Sequence, residues 1–439
     1  MYSCSLYSCC FIFYLNALVM ESLTITTRSL RRSLHKSCRQ FHASAFRCRA
    51  GDDVYIISAA RTPVGKFNGA LKSLSATQLG VTAVRAAVEK SGLEDLSQVP
   101  EIYMGHVLQA NSGQSPARQV ALGAGFPVST DATTVNKVCA SGLKAVTLAA
   151  QNIQTGIADV MVAGGMESMS NAPFYLERNR AYGHHTVTDA IIKDGLWDVY
   201  GDIHMGSCGE NTARKFNLTR EMQDSYALES YRRAILAQEN NLFQHEIVPI
   251  EIKSRGKTVV VSLDEEPASV NLAKLPTLKP AFEPEGTITA ANASPLNDGA
   301  AAVVLASESR LDRHDDLIRP LGVIVSYADA ATDPIDFTIA PALAIPRALM
   351  RAGLGIEDIA KFEINEAFSA VSLANQALLG LDPAKVNVKG GAVALGHAIG
   401  SSGCRILVTL LYSLKEGEYG VAAICNGGGG SSAIVVRKM

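Results

Sequence analysis

The sequence lacks the motifs of several common cofactor sites. Beyond residue 48 it has four cysteines: Cys139, Cys208, Cys404 and Cys425. This part of the chain has no Cys-x-x-Cys and no His-x-x-x-His pair, which argues against a zinc site, and four cysteines are too few for a disulfide scaffold. No Gly-x-Gly-x-x-Gly follows a strand-like segment with a suitably placed acidic residue, so dinucleotide binding has no support. Gly391 and Gly396 have P-loop spacing, but His397 and Ala398 replace the required Lys and Ser or Thr.

An excess of charge of either sign is also absent. The 439 residues include 40 Lys and Arg against 42 Asp and Glu. The first 50 residues contain seven of the basic and one of the acidic residues, so the remainder carries a formal net charge of −8. Such a mildly acidic body lacks the basic surface of a nucleic-acid-binding protein, and it must hold an anionic ligand through local groups. No later segment reaches the ~20 consecutive apolar residues of a membrane span.

The N-terminal segment predicts a mitochondrial transit peptide. Residues 22–51 contain no Asp or Glu, and their basic residues, from Arg28 to Arg49, are mixed with serine, leucine and phenylalanine. A disordered basic tail is the alternative. Residues 1–19 are apolar and uncharged, so Met20 is a second candidate start for translation.

Processing is expected to leave the folded body intact. We expect cleavage between Phe41 and Gly51 and a mature chain that begins near Asp52, because Val54 to Ser58 predicts the first strand of the fold. The mitochondrial matrix is then the expected location. N-terminal sequencing of the protein from the native organelle tests this, and a mature chain that retains Arg28 would contradict it.

Cys139 lies where a predicted strand meets a predicted helix. Residues 132–138 are rich in β-branched side chains, and the apolar residues after Gly142 recur at helical spacing. Backbone N–H groups and the positive end of a helix lower the pKa of a thiol at such a junction and make it nucleophilic. An inert buried cysteine is the alternative, and this position alone does not decide between the two.

A second segment repeats this plan. A glycine-rich run ends at His397 and is followed by an apolar helix over residues 406–414 and by a short strand that ends at Cys425. The first half has the same order, with Cys139, a helix and a strand over residues 159–166. A glycine turn follows each strand. This repetition indicates an α/β fold built from two layered domains, each with the same βαβ unit.

Two thiols, an imidazole and an amide on such turns predict covalent acyl chemistry. Cys139 can attack a thioester, His397 can take its proton, and Cys425 can move a proton on carbon. The candidate amide is Asn365, for which a turn residue is the alternative, and a solvated charge stays open for the neighbouring Glu366. The glycines that follow Cys425 allow backbone N–H groups to approach a ligand closely.

Several motifs in a fixed order make the chain resemble the thiolase family from about Asp53 to the C-terminus. They are Ile57-Ser-Ala-Ala-Arg-Thr-Pro-Val-Gly65, Asn136-Lys-Val-Cys-Ala-Ser-Gly142, Gly164-Gly-Met-Glu-Ser168, Ala293-Ser-Pro-Leu-Asn-Asp-Gly-Ala300, Asn365-Glu-Ala-Phe368, Gly396-His-Ala-Ile-Gly400 and Cys425-Asn-Gly-Gly-Gly429. The resemblance implies the thiolase fold, in which two duplicated domains carry an inserted loop domain. It places the N-terminal domain at 52–173 and 286–308, the loop domain at 174–285 and the C-terminal domain at 309–439, after a transit segment at 1–51.

The resemblance also implies an activity and a set of site residues. The expected reaction is the reversible condensation of two acetyl-CoA molecules to acetoacetyl-CoA and CoA, without a covalently bound cofactor, in a homotetramer. The expected catalytic residues are Cys139, His397, Cys425 and Asn365, with the backbone of Gly427 at the oxyanion. The expected contacts of substrate and CoA are His204, Met205, Tyr231, Lys274, Ser294, Phe337 and Phe368. A potassium ion is expected at Tyr231 and at the backbone of Ala290, Ala291, Ala293 and Val393.

Three departures from the family pattern stand out. Ala398 replaces the usual Pro after the histidine, which changes the rigidity of the turn and keeps the imidazole. Lys389 stands where Asn or Tyr is usual, and we expect it at the surface. Residues 267–269 occupy a stretch where relatives often carry an Arg near the adenine of CoA. This Arg is absent here, whereas Lys274 is still present as a candidate contact of CoA.

Three other activities are alternatives for this sequence. A decarboxylating condensing enzyme of the ketoacyl-synthase type shares the cysteine nucleophile but typically uses two histidines, whereas this chain offers His397 and Cys425. A catalytically inactive acyl-CoA-binding relative would not need both cysteines intact. A broader-range 3-ketoacyl-CoA thiolase of β-oxidation is the nearest alternative, but His204, Met205 and Phe337 resemble the short-chain branch, where bulky side chains close the acyl tunnel.

Overall fold

One mixed sheet runs through both halves of the chain in the computed structural model, which describes residues 53–178, 182–254, 256–312 and 319–439. The strands are β1 Val54–Arg61, β2 Gly65–Lys66, β3 Glu101–Gly105, β4 Asp131–Val135, β5 Val160–Ser168, β6 Phe174–Tyr175, β7 Thr188–Asp189, β8 Trp197–Asp198, β9 Ile203–His204, β10 Ile250–Ser254, β11 Lys257–Val261, β12 Asn297–Ser307, β13 Gly322–Ala331, β14 Ile359–Ile364, β15 Tyr419–Asn426 and β16 Gly430–Lys438. The predicted transit peptide lies outside the described residues.

Ten α-helices are described alongside these strands. They are α1 Ala76–Ser91, α2 Pro116–Ala124, α3 Ser141–Gln154, α4 Met205–Lys215, α5 Arg220–Glu239, α6 Glu308–Asp312, α7 Pro341–Ala352, α8 Ser369–Leu379, α9 Ala392–Leu395 and α10 Ile399–Leu411. A π-helix spans Ile191–Leu196, and 3-10 turns span Leu96–Gln98, Met169–Asn171, Leu272–Thr277, Pro334–Ile339 and Pro383–Lys385. None of the helices in the described part of the chain is long and apolar enough to cross a membrane.

The order of the strands repeats between the halves. The sheet runs β14-β15-β16-β13-β1-β12-β5-β3-β4, with β2 paired to β12. In the first half the strands β4, β3, β5, β12 and β1 lie side by side, and in the second half β14, β15, β16 and β13 follow the same order without the outermost strand. A single parallel bridge between Phe362 and Val386 stands at the place of that strand. The duplicated α/β architecture predicted from the sequence is therefore present.

Helices α3 and α10 form the central layer, and each follows one of the two predicted catalytic turns. They share one buried core with the inner faces of both halves of the sheet. Their N-terminal ends meet at glycines. A Cβ atom on Gly142 would lie 2.9 Å from the carbonyl oxygen of Gly400, and one on Gly165 of β5 would overlap the same oxygen. The absence of side chains at these positions lets the starts of both helices sit against the sheet and against each other.

The outer faces of the sheet are covered separately. Helices α1 and α2 bury the outer face of the first half, and α7 buries that of the second half. Both halves are thereby layered α/β units. Every residue of β5 and β12 is buried, which explains the runs of Val and Ala in these two strands.

The segment predicted as a loop domain contributes α4 and α5. The sequence predicted an amphipathic helix over Arg220–Asn240, and α5 spans Arg220–Glu239. Its buried face combines the polar Gln223 and Ser230 with small residues and Tyr231, whereas the larger apolar residues Met222, Leu228 and Leu236 are exposed. Because apolar side chains lie on both faces, the amphipathic character of this helix was predicted wrongly. The predicted boundaries of the domains stay a prediction.

Candidate active site

Cys139 lies on a tight turn between β4 and α3. Val138, directly before it, has φ +48°, a left-handed conformation that costs a β-branched residue about 1–3 kcal/mol. The turn is held by Ser141, whose Oγ accepts from the backbone N–H of Lys137 at 2.8 Å and donates to the carbonyl of Val138 at 2.5 Å. Asn136 Oδ1 accepts from the Val138 N–H at 2.9 Å. These bonds keep the strained residue in place.

The protonation state of Cys139 differs from the sequence-based expectation. Its side chain is buried, and burial raises the pKa of the thiol to about 12, although the backbone N–H groups of Gly427 and of Cys139 itself lower it in part. The expected lowering by the helix N-terminus is therefore wrong for the resting site, because the loss of hydration outweighs it. Cys139 rests as a neutral thiol and needs a base at the moment of attack.

His397 supplies a base whose tautomer is fixed by its neighbours. Ser402, in the first turns of α10, donates its single hydroxyl proton to the carbonyl of Ala398 at 2.8 Å. The contact of 2.6 Å between Ser402 Oγ and His397 Nδ1 must therefore carry the Nδ1 proton. Nε2 is left with its lone pair. Burial, aided by the positive charge of Arg405, lowers the pKa of His397 to about 3, so the ring is neutral.

Asn365 lies beside the free nitrogen of His397. It follows the last residue of β14, and its backbone N–H donates to the carbonyl of Ala423 on β15 at 3.0 Å. Its Nδ2 donates to His397 Nε2 over 3.4 Å, which agrees with the tautomer assigned above. Its Oδ1 is buried and makes no hydrogen bond to the described residues. The amide thus offers an acceptor to a polar group inside the site.

Cys425 is the second thiol of the site. It is the last residue but one of β15 and is 1% exposed. Burial raises the pKa of Cys425, and a negative charge on Cys139 would raise it further. Gly427 follows two residues later and aims its N–H at Cys139. The chain therefore brings both cysteines, His397, Asn365 and the Gly427 amide into one place.

A cavity of about 370 Å³ opens above Cys139 and His397. Five of the residues predicted to contact substrate line it: His204, Met205, Ser294, Phe337 and Phe368. Most of its wall is apolar, so it suits the thioester end and the alkyl part of a ligand better than a phosphate. Met205 and Phe337 are both buried and pack in one cluster with Cys425, which places bulky side chains around the reacting groups.

Several contributors to the site were not found from the sequence. Phe282 lines the cavity and stacks on His204 with centroids 4.9 Å apart. Asn297 Oδ1 accepts from the His397 N–H at 2.8 Å and so fixes the turn, while Glu167 accepts from the Gly400 N–H at 3.0 Å at the start of α10. Glu167 and Asn297 stand inside quoted motifs, yet no local pattern reveals that they reach across to another turn. Phe282 has no sequence signal.

The remaining predicted residues lie elsewhere. Lys274 is exposed on a 3-10 turn and does not line the cavity. Of the residues predicted for potassium, Tyr231, Ala291 and Val393 share one buried cluster, whereas Ala290 and Ala293 line the cavity. Burial raises the pKa of Tyr231, and the negative charges of Glu266 and Glu366 add to this.

Two charged side chains are buried. Lys389, which was expected at the surface, is 6% exposed, and its Nζ donates to the carbonyls of Leu242 and Tyr412 and lies over the ring of Phe243. Glu366 is fully buried, so the solvated charge that the sequence left open for it does not apply. Its carboxylate accepts from four neutral donors: the hydroxyls of Tyr226 and Ser230, the amide of Asn387 and the N–H of Val393. The surface position of Lys389 was predicted wrongly because packing between distant segments decides burial.

Comparisons with known proteins agree with this geometry. The family models "Thiolase, N-terminal domain" and "Thiolase, C-terminal domain" match residues 54–309 and 318–438. An acetyl-CoA acetyltransferase of Yarrowia lipolytica is 62% identical over 88% of this chain and 96% of the relative, and the mitochondrial acetyl-CoA acetyltransferase of Bos taurus is 56% identical over 88% and 92%. The crystal structure of Acat5 thiolase from Ascaris suum in complex with coenzyme A matches with a TM-score of 0.85 and 48% identity, over 88% of this chain and 100% of that one.

A duplicated α/β fold with a cysteine and a histidine on equivalent turns, and with a second cysteine near the end of the neighbouring strand, is the architecture of an acyl-transferring enzyme. With both family models matched over most of its length, this chain belongs to the thiolase family. The fold predicted from the sequence is confirmed.

The role of Ser402 can be tested by its removal. Ser402→Ala should slow the reaction of Cys139 with an acyl thioester by about ten- to a hundred-fold, because His397 loses the partner that keeps its free lone pair on Nε2. Rapid-quench measurement of acylated protein gives this rate. Ser413→Ala is the matched control, since it removes a hydroxyl that also donates to a carbonyl four residues earlier, beyond the far end of α10. A wild-type rate in Ser402→Ala would contradict the tautomer assignment.

Proposed function

We propose that this chain catalyses the reversible condensation of two acetyl-CoA molecules to acetoacetyl-CoA and CoA, through an acetyl group held on Cys139. The observation that carries the proposal is that the Cys139 thiol and a neutral His397 imidazole line one mostly apolar cavity, while the Cys425 thiol packs directly behind its wall with Met205 and Phe337. The relatives named acetyl-CoA acetyltransferase support it. Acetoacetyl-CoA should form when acetyl-CoA is the sole substrate, and product analysis tests this.

The first half-reaction loads the acetyl group. His397 Nε2 takes the Cys139 proton while the sulfur attacks the thioester carbonyl, and the N–H groups of Cys139 and Gly427 meet the oxyanion. CoA leaves as its sulfur takes the proton back from His397. The products are acetyl-Cys139, a neutral His397 and CoA as a free thiol, so protons and charge balance and Cys425 keeps its own proton.

The second half-reaction makes the carbon–carbon bond. Cys425 first gives its proton to His397, and the resulting thiolate takes a proton from the methyl group of a second acetyl-CoA. The imidazolium of His397 and a water held by Asn365 Oδ1 stabilise the enolate oxygen, and the carbanion attacks the acetyl carbon. Cys139 leaves and recovers its proton from His397. Acetoacetyl-CoA departs, and thiolysis is the same path in reverse.

The other activities receive less support. A ketoacyl-synthase-type enzyme would place a second histidine near the nucleophile, whereas Cys425 occupies that region here. A broad-range thiolase needs an open acyl tunnel, and Met205 and Phe337 fill the cavity wall instead. The intact pair of cysteines argues against an inactive binding protein.

CoA thioesters are the proposed ligands. The CoA complex of the Ascaris suum thiolase, at 48% identity, supports a CoA site in this chain. His204 Nδ1 accepts from the N–H of Gly206 at 3.0 Å, so Nε2 carries the proton and can donate to the pantetheine arm from its stacked position on Phe282. Ser269 stands in the stretch where relatives often carry an Arg near the adenine, and its Oγ donates to the carbonyl of Glu266. Lys274 is therefore the proposed contact of the adenine in this chain.

A potassium ion near the CoA-binding loops is also proposed. Tyr231 contributes a phenol and the alanines contribute backbone carbonyls, a donor set that suits a large, weakly hydrated ion better than a divalent one. The negative charge of the buried Glu366 carboxylate helps to raise the pKa of Tyr231, and the hydrogen bonds of this carboxylate come from neutral donors only. A cation here would balance its charge. Equal activity in potassium and in a bulky organic cation would remove this site.

The location and the assembly belong to the same proposal. Four of the relatives carry the word mitochondrial in their names, which supports a matrix enzyme. A homotetramer is the proposed assembly, and the free edge of β4, one of the two edge strands of the sheet, with Val128 before it, which is 82% exposed, favours self-association. Sedimentation analysis tests the assembly, and a monomer would contradict it.

The two cysteines should separate the half-reactions. Cys139→Ser should abolish both, because a hydroxyl beside one neutral imidazole is a far poorer nucleophile. Cys425→Ser should still form the acetyl-enzyme but lose condensation by roughly a hundred- to ten-thousand-fold, since the base for the methyl proton is missing. Peptide mapping of a labelled acetyl group and steady-state condensation measure these effects. A folded Cys425→Ser variant that fails to acetylate would assign Cys425 to the first step instead.

Met205 and Phe337 should limit the length of the acyl chain. Because a fixed wall excludes extra methylenes at a cost of about 1–3 kcal/mol, kcat/KM for thiolysis of acetoacetyl-CoA should exceed that for 3-ketooctanoyl-CoA by about ten- to a hundred-fold. Met205→Ala and Phe337→Ala should each narrow this ratio, while Met222→Ala, at an exposed methionine of α5, should not. Comparable kcat/KM for both substrates in the wild type would place the protein among the broad-range thiolases.

A further inference from the structure

Lys137 connects the turn of Cys139 to the second half of the chain. It stands two residues before Cys139, and its Nζ donates to Asp329 Oδ1 at 2.6 Å, to Ser432 Oγ at 2.8 Å and to the carbonyl of Ser431 at 3.1 Å. Ser432 also donates to Asp329 Oδ1 at 2.6 Å. All three N–H groups of the ammonium thereby donate to acceptors on β13 and β16.

These partners lie next to the strand of Cys425. In the antiparallel pair β15–β16, Ser431 stands opposite Cys425, and Ser432 stands opposite Ile424. On the other side of β16, Asp329 is the register partner of Ser432. The ammonium of Lys137 therefore binds β16, the strand next to β15, which carries Cys425.

The turn that Lys137 holds contains the strained residue. Val138 lies between Lys137 and Cys139 at φ +48°, and its Cγ1 is 3.6 Å from where a Cβ of Gly427 would stand. A strained residue persists only where surrounding contacts over-determine it. Ser141 and Asn136 hold the turn from within its own segment, whereas Lys137 alone of these contacts ties it to the second half.

The carboxylate at the far end stays charged. Partial burial would raise the pKa of Asp329, but hydrogen bonds from Lys137, Lys144 and Ser432 outweigh this and lower its pKa to about 2. Lys144 lies on α3 and donates to Asp329 Oδ2 at 2.7 Å, and within the described part of the chain its Nζ makes no hydrogen bond to β16. Its contact supports the carboxylate, while Lys137 makes the link to the turn.

We propose that Lys137 and Asp329 are positioning residues that hold the Cys139 turn against the strand of Cys425 and thereby set the separation over which the carbon–carbon bond forms. The proposal rests on the proposed function, because it assigns its effect to the second half-reaction. Acetyl transfer to Cys139 depends on His397 and the oxyanion N–H groups. Condensation in addition needs the acetyl carbon on Cys139 to meet a carbanion generated at Cys425.

The two half-reactions should consequently respond differently. Asp329→Asn and Lys137→Met should each lower the condensation rate by about ten- to a hundred-fold, because a displacement of about 1 Å between reacting groups costs that much. Acetyl-enzyme formation should fall by a smaller factor than condensation, because the N–H of Cys139 moves with the turn and only the N–H of Gly427 is displaced from it. A loss of folded protein would lower both rates by the same factor, so the ratio of the two rates is a readout that a purely structural role does not move.

The experiment measures both rates on the full chain with acetyl-CoA. Rapid-quench mass analysis follows acetyl-Cys139, steady-state assays follow acetoacetyl-CoA, and thermal unfolding monitors stability. Glu229→Gln is the matched control: like Asp329 it is a carboxylate with two cationic partners, its side chain is 39% exposed against 41%, and it lies on α5. Lys144→Gln tests the other partner of Asp329 and should leave the ratio near that of the wild type.

The outcomes separate this proposal from the function on which it rests. If the wild type forms no acetyl-enzyme or no acetoacetyl-CoA, the proposed function fails. If the wild type performs both steps and the variants keep its ratio, or lose both steps equally, the positioning role is overturned. The condensation rate of the double variant Lys137→Met/Asp329→Asn should be no lower than that of the less active single variant. Additive losses would show that the two residues act independently.

Discussion

The close approach of α3 and α10 underlies the rest of this structure. Each helix begins just after a reacting residue, Cys139 for α3 and His397 for α10, so the distance between the two helix starts sets the distance between nucleophile and base. Gly142, Gly165 and Gly400 meet at that point, and any side chain there would push the helices apart. The shared core of both halves then fixes the helices along the rest of their length.

Burial at this meeting point shapes the chemistry. It keeps Cys139 as a thiol and His397 as a neutral ring in the resting site, with pKa values displaced in opposite directions by the same loss of hydration. The polar neighbours of these two groups are uncharged. Ser402 fixes the tautomer of His397, and the N–H groups of Cys139 and Gly427 are placed to bind the oxyanion. Charge develops only when a thioester arrives, inside a cavity whose walls are mostly apolar.

The sequence predicted the fold well because the fold is repetitive. Two copies of strand, small-residue turn, helix and strand could be read from local patterns. Cys139 and His397 stand on such turns, and Cys425 stands near the end of a strand. The failures share one cause. Lys389 was expected at the surface, Cys139 with a lowered pKa and α5 as amphipathic, yet the surroundings of each depend on segments far away along the chain.

What the sequence determined by itself was therefore the identity of the reacting groups and their local backbone: thiol, imidazole and amide, each on a turn whose residue types favour close backbone approach. Only the tertiary structure decided their electrical state and their supports. The tautomer of His397 needs Ser402, the orientation of its turn needs Asn297, and the walls of the cavity need Phe282 and Phe337 from opposite halves. Such relations arise because dehydration and hydrogen bonding act through space, between residues whose separation along the chain carries no signal of their contact.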